Sequence, residues 1–258
     1  MLLTLDVGNS NIRAGVFDQD KLILQFRYTT ESAHGSLDQI GIFLRQALSE
    51  NSLNPNKIKG AAIASVVPAI NFSLRSAILK YFNLEPFFLH PAVKTGLKLQ
   101  VATPKEVGAD RIAGCIAAVE LFPKKDILVI DLGTATVFDV VRKDQVYLSG
   151  AILPGVRISL EALSSNAAQI SSVSIVKPTL AIGKDTNTNL QSGLYYGHLG
   201  ALKELKSVII QELKTDSNTA ITIATGGFCQ LFKVPGLFDE ILPDLGLQGI
   251  KIAFYKNK

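Results

Sequence analysis

Residues 2–7, Leu-Leu-Thr-Leu-Asp-Val, form a short apolar run ending in the polar turn Gly8-Asn9-Ser10-Asn11, the pattern of a buried strand entering a tight turn. Two more apolar runs, 12–18 and 21–28, flank Asp18-Gln19-Asp20 and predict a hairpin, so the chain opens as a β-meander. From Ser36 to Glu50 the period changes: Ile40, Phe43, Leu44, Ala47 and Leu48 recur at the spacing of an amphipathic helix. A strand over 61–67, a stop at Pro68 and a helix over about 69–82 follow. Strands alternating with helices predict an α/β sheet.

The same plan returns close to half the chain later. Ile127-Leu-Val-Ile-Asp131-Leu-Gly133-Thr134-Ala135-Thr136 repeats Leu2-Leu-Thr-Leu-Asp6-Val-Gly8-Asn9-Ser10-Asn11, and each copy continues into a strand carrying Phe-Asp, at Phe17-Asp18 and Phe138-Asp139. The repeat predicts two similar α/β lobes, 1–118 and 119–258, with a boundary near 115–125 and a ligand in the cleft between the two hairpins. Further on, the stretch Gly183 to Leu213 reads as one long helix despite Gly193, Gly197 and Gly200, which cost helix stability. Close backbone packing would compensate, either at a subunit interface or against another helix of the same lobe.

Composition narrows the class. A chain of 258 residues with 47% apolar and 19% charged side chains buries a large core and is not disordered. It has no apolar run of the ~18 residues that a bilayer span needs, and its start lacks the basic and apolar segments of a secretory leader, so a cytoplasmic protein without membrane association is expected. Cys115 and Cys229 fit no disulfide framework or metal spacing and are expected to be buried thiols. The net charge of +4 comes from scattered Lys and Arg, which argues against a nucleic-acid partner. His34, His90 and His198 lie far apart and read as surface or structural residues.

No Walker-type G-x-x-x-x-G-K-[ST], no G-x-G-x-x-G after a strand and no G-x-S-x-G elbow is present. What remains is the pair of Asp-x-Gly hairpins and a glycine turn, Ala224-Thr225-Gly226-Gly227, after a strand over 220–224. Glycines admit phosphate oxygens to backbone N–H groups, Asn9, Ser10, Asn11, Thr134 and Thr136 add neutral donors, and Asp6 and Asp131 would hold a cation or its water shell. Alternatively both aspartates merely cap their turns. The block Glu106-Val-Gly108-Ala109-Asp110-Arg111 opens a helix; Asp110 could orient an alcohol and accept its proton, and Arg111 could fork onto a carboxylate or a developing phosphoryl charge.

Together, Asp6-x-Gly8-Asn9-Ser10 with Gly15, Gly108-Ala109-Asp110-Arg111, Asp131-Leu-Gly133-Thr134-Ala135-Thr136, Gly150-Ala-Ile-Leu-Pro154-Gly155 and Thr225-Gly226-Gly227 resemble type III pantothenate kinase, in family order and over nearly the whole chain. The resemblance implies two duplicated, actin-like, ribonuclease-H-like lobes, a homodimer, and ATP-dependent phosphorylation of pantothenate in coenzyme A synthesis, with Mg2+ and a monovalent cation, K+ or NH4+. It also implies roles. Asp6, Val7, Gly8, Asn9, Ser10, Asn11, Ile12 and Arg13 form the first phosphate loop and Thr134 contacts ATP. Asp110 accepts the hydroxyl proton, Gly108, Ala109, Asp110 and Arg111 line the pantothenate site with Thr186, and Asp131 holds the monovalent cation. Two positions depart from the family pattern: Val101 stands where a pocket tyrosine is usual, and Val137 where threonine repeats. A nucleotide-binding regulator that has lost catalysis, or a kinase or phosphatase of this wider fold acting on another small substrate, are the alternative readings.

Overall fold

The computed structural model describes residues 1–33, 36–166, 173–214 and 220–258, so His34 lies outside the described residues. The first half runs β1 (Leu2–Val7), β2 (Asn11–Asp18), β3 (Lys21–Thr29), α1 (Thr30–Ala33), α2 (Leu37–Glu50), β4 (Gly60–Ser65), α3 (Pro68–Phe82), β5 (Phe87–Leu89), β6 (Lys98–Leu99) and α4 (Ala109–Leu121). The second runs β7 (Asp126–Leu132), β8 (Ala135–Val141), β9 (Val146–Pro154), α5 (Val156–Asn166), α6 (Thr186–Glu212), β10 (Ala220–Thr225), β11 (Glu240–Ile241) and α7 (Leu245–Lys256). These elements form two compact units, residues 1–97, 102–120 and 245–258, and residues 98–101 and 121–244.

In the first unit the sheet order is β3-β2-β1-β4-β5. β1 to β3 pair antiparallel, whereas β4 lies parallel to β1 and β5 parallel to β4. Alternation along β1 explains its two partners. Leu3, Leu5 and Val7 enter one core with Ile40, Leu44 and Leu48 of α2 and Ile70 and Leu74 of α3. Thr4 and Asp6 point to the opposite face, the one covered by α7, where Leu247 reaches Gly15. Ser36 caps α2 in a reciprocal box with Gln39, which fixes the start that the periodicity indicated.

The sheet of the second unit runs β11-β10-β7-β8-β9-β6. Apart from β6 it repeats the first: an antiparallel meander β7-β8-β9 followed by β10 and β11 parallel to β7. Even the irregularity in register recurs, between Val16 and Phe17 in β2 and between Val140 and Val141 in β8. Its core joins Leu128, Ile130, Leu132 and Phe138 to Tyr195, Leu199 and Leu202 of α6. The internal echo is therefore a duplication of topology.

Two parts of the expected division differ. Residues 98–101, assigned from sequence to the first lobe, belong to the second unit, where β6 pairs with β9. The terminal segment 245–258, assigned from sequence to the second lobe, belongs to the first unit. The cause is packing: Leu245, Leu247 and Ile250 are buried, and a side chain at Gly249 would collide with the carbonyl oxygen of Ala113 on α4. In addition, the helix expected over 183–213 begins at Thr186, because Asp185 caps it and Thr188 returns the bond to the cap backbone.

Candidate active site

The first unit gathers two motif segments at the carboxyl ends of β1 and β4. The turn after β1 is closed by Gly8 N–H donating to Asn11 O (3.0 Å) and is pinned by Thr30, whose hydroxyl donates to Gly8 O (2.7 Å) and whose N–H donates to Ser10 O (3.1 Å). Asn9, Ser10 and Asn11 are consequently exposed, while Val7 and Ile12 are core side chains that could offer a ligand only their backbone. Asp6 accepts both Nε (3.0 Å) and Nη2 (2.5 Å) of Arg13 on one carboxylate oxygen. The cationic partner sought for Asp6 from sequence is thus supplied by the chain itself, and the pair presents phosphate with no net negative charge.

Val66, just past β4, links this turn to the second segment. Its N–H donates to Val7 O (3.0 Å), and its Cγ1 lies 3.4 Å from where a Gly108 side chain would begin. That same space is filled by the Asp110 carboxylate, so any residue larger than glycine at 108 would displace it. Asp110 sits in the first turn of α4, where the helix dipole favours an anion, and its Oδ1 accepts the Arg111 N–H (2.8 Å). Asp6, Gly108, Ala109, Asp110 and Arg111 therefore share one end of one unit. Val101 belongs to the other unit and is half-buried there.

In the second unit, Asp131, next to last in β7, lies opposite Val137 on β8 and Thr225 on β10. Register puts the three on one face of the sheet. Val137, one of the two departures, is therefore next to Asp131 and not a remote core position. Thr225 Oγ1 is buried with no hydrogen-bond partner among the described residues. Gly226 turns away at φ +87, and a side chain there would strike Asp131 Oδ1 and come within 2.6 Å of Leu132 C. Thr134 is exposed at the tip of the hairpin, and the Gly133 N–H donates to Ala135 O (3.0 Å). A half-buried carboxylate beside a buried hydroxyl is an oxygen donor set of the kind a hard cation accepts. Among the described residues no cluster of three or more His, Cys, Asp or Glu could hold a metal by itself.

The first residue of α6, Thr186, is exposed and lines a pocket of about 580 Å³ together with Leu153, Pro154, Ser159, Gly197 and His198. Among the described residues a side chain at Gly193, Gly197 or Gly200 would meet nothing within 4 Å, so no described helix packs closely on these glycines. His90 is exposed and its Nδ1 accepts the Ala92 N–H, whereas His198 is buried and bonded to Thr136. Burial holds His198 below the usual imidazole value of 6.5, which keeps it neutral at neutral pH. Both cysteines are buried thiols.

The family model for type III pantothenate kinase matches residues 2–207. Type III pantothenate kinase 1 of Francisella tularensis subsp. tularensis (strain FSC 198) is 56% identical over 257 residues, which is 100% of this chain and 98% of the relative. The chain belongs to the type III pantothenate kinase family. Membership carries the family's activity, ATP-dependent phosphorylation of pantothenate in coenzyme A biosynthesis, and the regulatory and other-substrate readings lose their ground. The kinase shares its fold with a Campylobacter jejuni protein of the Baf family of transcriptional activators (TM-score 0.61, 21% identity, 99% of this chain and 98% of that one). It shares it too with the ROK hexokinase of Thermus thermophilus (TM-score 0.50, 13% identity, 98% and 97%). At such identities the likeness concerns architecture, the duplicated ribonuclease-H-like lobes of actin-like ATPases and sugar kinases.

Three features around these motif residues were missed from sequence. Arg13 as the partner of Asp6 is a cross-strand neighbour in β1 and β2, and the hairpin register could have indicated it. Val66 is a plain apolar residue and left no signal. The start of α7 approaches Asp6 so closely that a Gly246 side chain would lie 3.4 Å from its Oδ2, a contact separated by most of the chain.

Proposed function

We infer that the kinase transfers the γ-phosphoryl group of ATP to the primary alcohol of pantothenate with Asp110 as proton acceptor. The supporting observation is the Asp110 carboxylate seated over Gly108 at the end of the sheet where the first phosphate loop begins. In the step, the alcohol oxygen forms a bond to the γ-phosphorus, the bond to the ADP oxygen breaks, and the alcohol proton passes to Asp110. Because such transition states are loose in most analyses, orientation and charge balance matter more than base strength. Asp110 then acts chiefly by aiming the hydroxyl. Arg111 contributes a guanidinium for the substrate carboxylate or the transferring group.

Asp6 to Arg13 and Thr134 make up the nucleotide-facing loops on this reading, with the Asp6–Arg13 pair removing the repulsion a lone carboxylate would exert on phosphate. Asp131 and Thr225 are the residues that would hold a monovalent cation, K+ or NH4+, and Mg2+ would arrive with the ATP phosphates. These cations supply neutralisation of the charge on the phosphate oxygens. Release of ADP from ATP and Mg2+ is the direct test. It is expected to require both pantothenate and K+ or NH4+, and to fall when Na+ replaces K+. A rate indifferent to that exchange removes the cation role of Asp131.

Val101 brings methyl groups where the family usually has a ring and hydroxyl, so on this reading pantothenate loses the contacts that a ring and hydroxyl would give. The kinase also works as a homodimer in the cytoplasm, where ATP is available. The open glycine face of α6, with exposed Ile152, Leu180, Ile182 and Tyr196 in the same unit, supports self-association. Gly197→Glu raises intrinsic helix propensity, so a folding defect is not expected from it. Sedimentation should find wild type dimeric and this variant monomeric; a monomeric wild type refutes the homodimer.

A further inference from the structure

His198 is a buried titratable side chain to which the reaction as described gives no part. It lies on α6, about three helical turns beyond Thr186, and packs against Phe232 with ring centroids 5.1 Å apart. Its Nε2 is 2.9 Å from Oγ1 of Thr136, a contact spanning 62 residues of sequence. Thr136 stands immediately after the Gly133–Ala135 turn, in register with Leu132 on β7 and Leu153 on β9. The backbone of that turn is backed by Gly155, where an added side chain would come within 2.7 Å of Gly133 O. The His198–Thr136 contact adds a directed side-chain bond from α6 to the first residues of β8, beside that turn.

We propose that His198 is a positioning residue for phosphoryl transfer: its hydrogen bond to Thr136 ties the turn 133–135 to α6, the helix that carries Thr186 and the open glycine face. The proposal rests on the reading of Thr134, in that turn, as an ATP contact. The neutral ring suits the task, since either ring nitrogen can donate or accept without burying a charge. Both partners are buried, so removing one leaves the other unsatisfied, and removing both relieves that penalty.

Steady-state kinetics on His198→Phe, His198→Gln, Thr136→Val and the Phe/Val double variant test it, with Thr134→Ala as a control on the loop. The expected result is a KM for ATP raised about fivefold to tenfold in His198→Phe and in Thr136→Val, with the KM for pantothenate within about twofold of wild type. The double variant should be no worse than either single one, and His198→Gln, which can renew the bond, should stay close to wild type. If Thr134→Ala raises the KM for ATP but His198→Phe does not, the positioning role is refuted. It is equally refuted if the two single effects multiply in the double variant, or if both KM values rise together with a fall in thermal midpoint. An unchanged KM for ATP in Thr134→Ala refutes the loop reading itself and is recognised separately.

Discussion

Asp110→Asn is expected to cut turnover by about 10² or more while leaving ATP binding in place. Asparagine matches aspartate in size, so the room left by Gly108 still receives it, and its carbonyl oxygen can still accept the Arg111 N–H. Only the capacity to take the alcohol proton, and the negative charge that aims the hydroxyl, are lost. The measurement is kcat from pantothenate-dependent ADP release, paired with calorimetric titration of ATP. A folded Asn variant with wild-type turnover excludes Asp110 from the chemistry.

Gly226→Ala should have the next largest effect, and on stability as well as activity. Its φ of +87 is a left-handed conformation that an L side chain adopts at a cost of about 1 kcal/mol or more. The added methyl would also face Leu132 C at 2.6 Å and Leu132 N at 2.7 Å, which are backbone atoms of β7 and cannot rotate away. Overpacking of this kind adds roughly 1–3 kcal/mol. Because the displaced strand end carries Asp131, a lowered urea midpoint should be accompanied by loss of the K+ stimulation. A variant with both properties intact shows that the turn tolerates a side chain and that the close approach has no role.

The parts of this architecture that were legible in the sequence are those built from local pattern. β1, β2 and β3 alternate or run apolar over six to nine residues, α2 carries both its stripe and its cap, and the Asp-x-Gly turns announce themselves by composition. The hidden parts depend on partners far along the chain. β6 and β11 have two residues each, too short to show a period, and exist only because β9 and β10 offer an edge. His198, read as a surface or structural residue, is buried and bonded to Thr136, and nothing near residue 198 names that partner. Gly193 and Gly197 read as a close-packing signal, yet among the described residues a side chain at either would meet nothing within 4 Å. The motif residues Asp6, Asp110 and Asp131 stand out in the sequence by their spacing; how Arg13 and Gly108 seat two of them does not.

The return of α7 to the first unit has a consequence for the order in which the protein can be made. Residues 121–244 are threaded between α4 and the helix that covers the Thr4 and Asp6 face of β1. A chain emerging from the ribosome can therefore build the five-stranded first sheet early, yet must hold one face of it bare until the whole second unit has been synthesised. Contacts such as Gly246 beside Asp6 are among the most sequence-distant in the molecule, and contacts of that kind form slowly. The phosphate loop is thus the first motif to leave the tunnel and among the last to acquire its final surroundings, so a half-made chain does not present a finished nucleotide site.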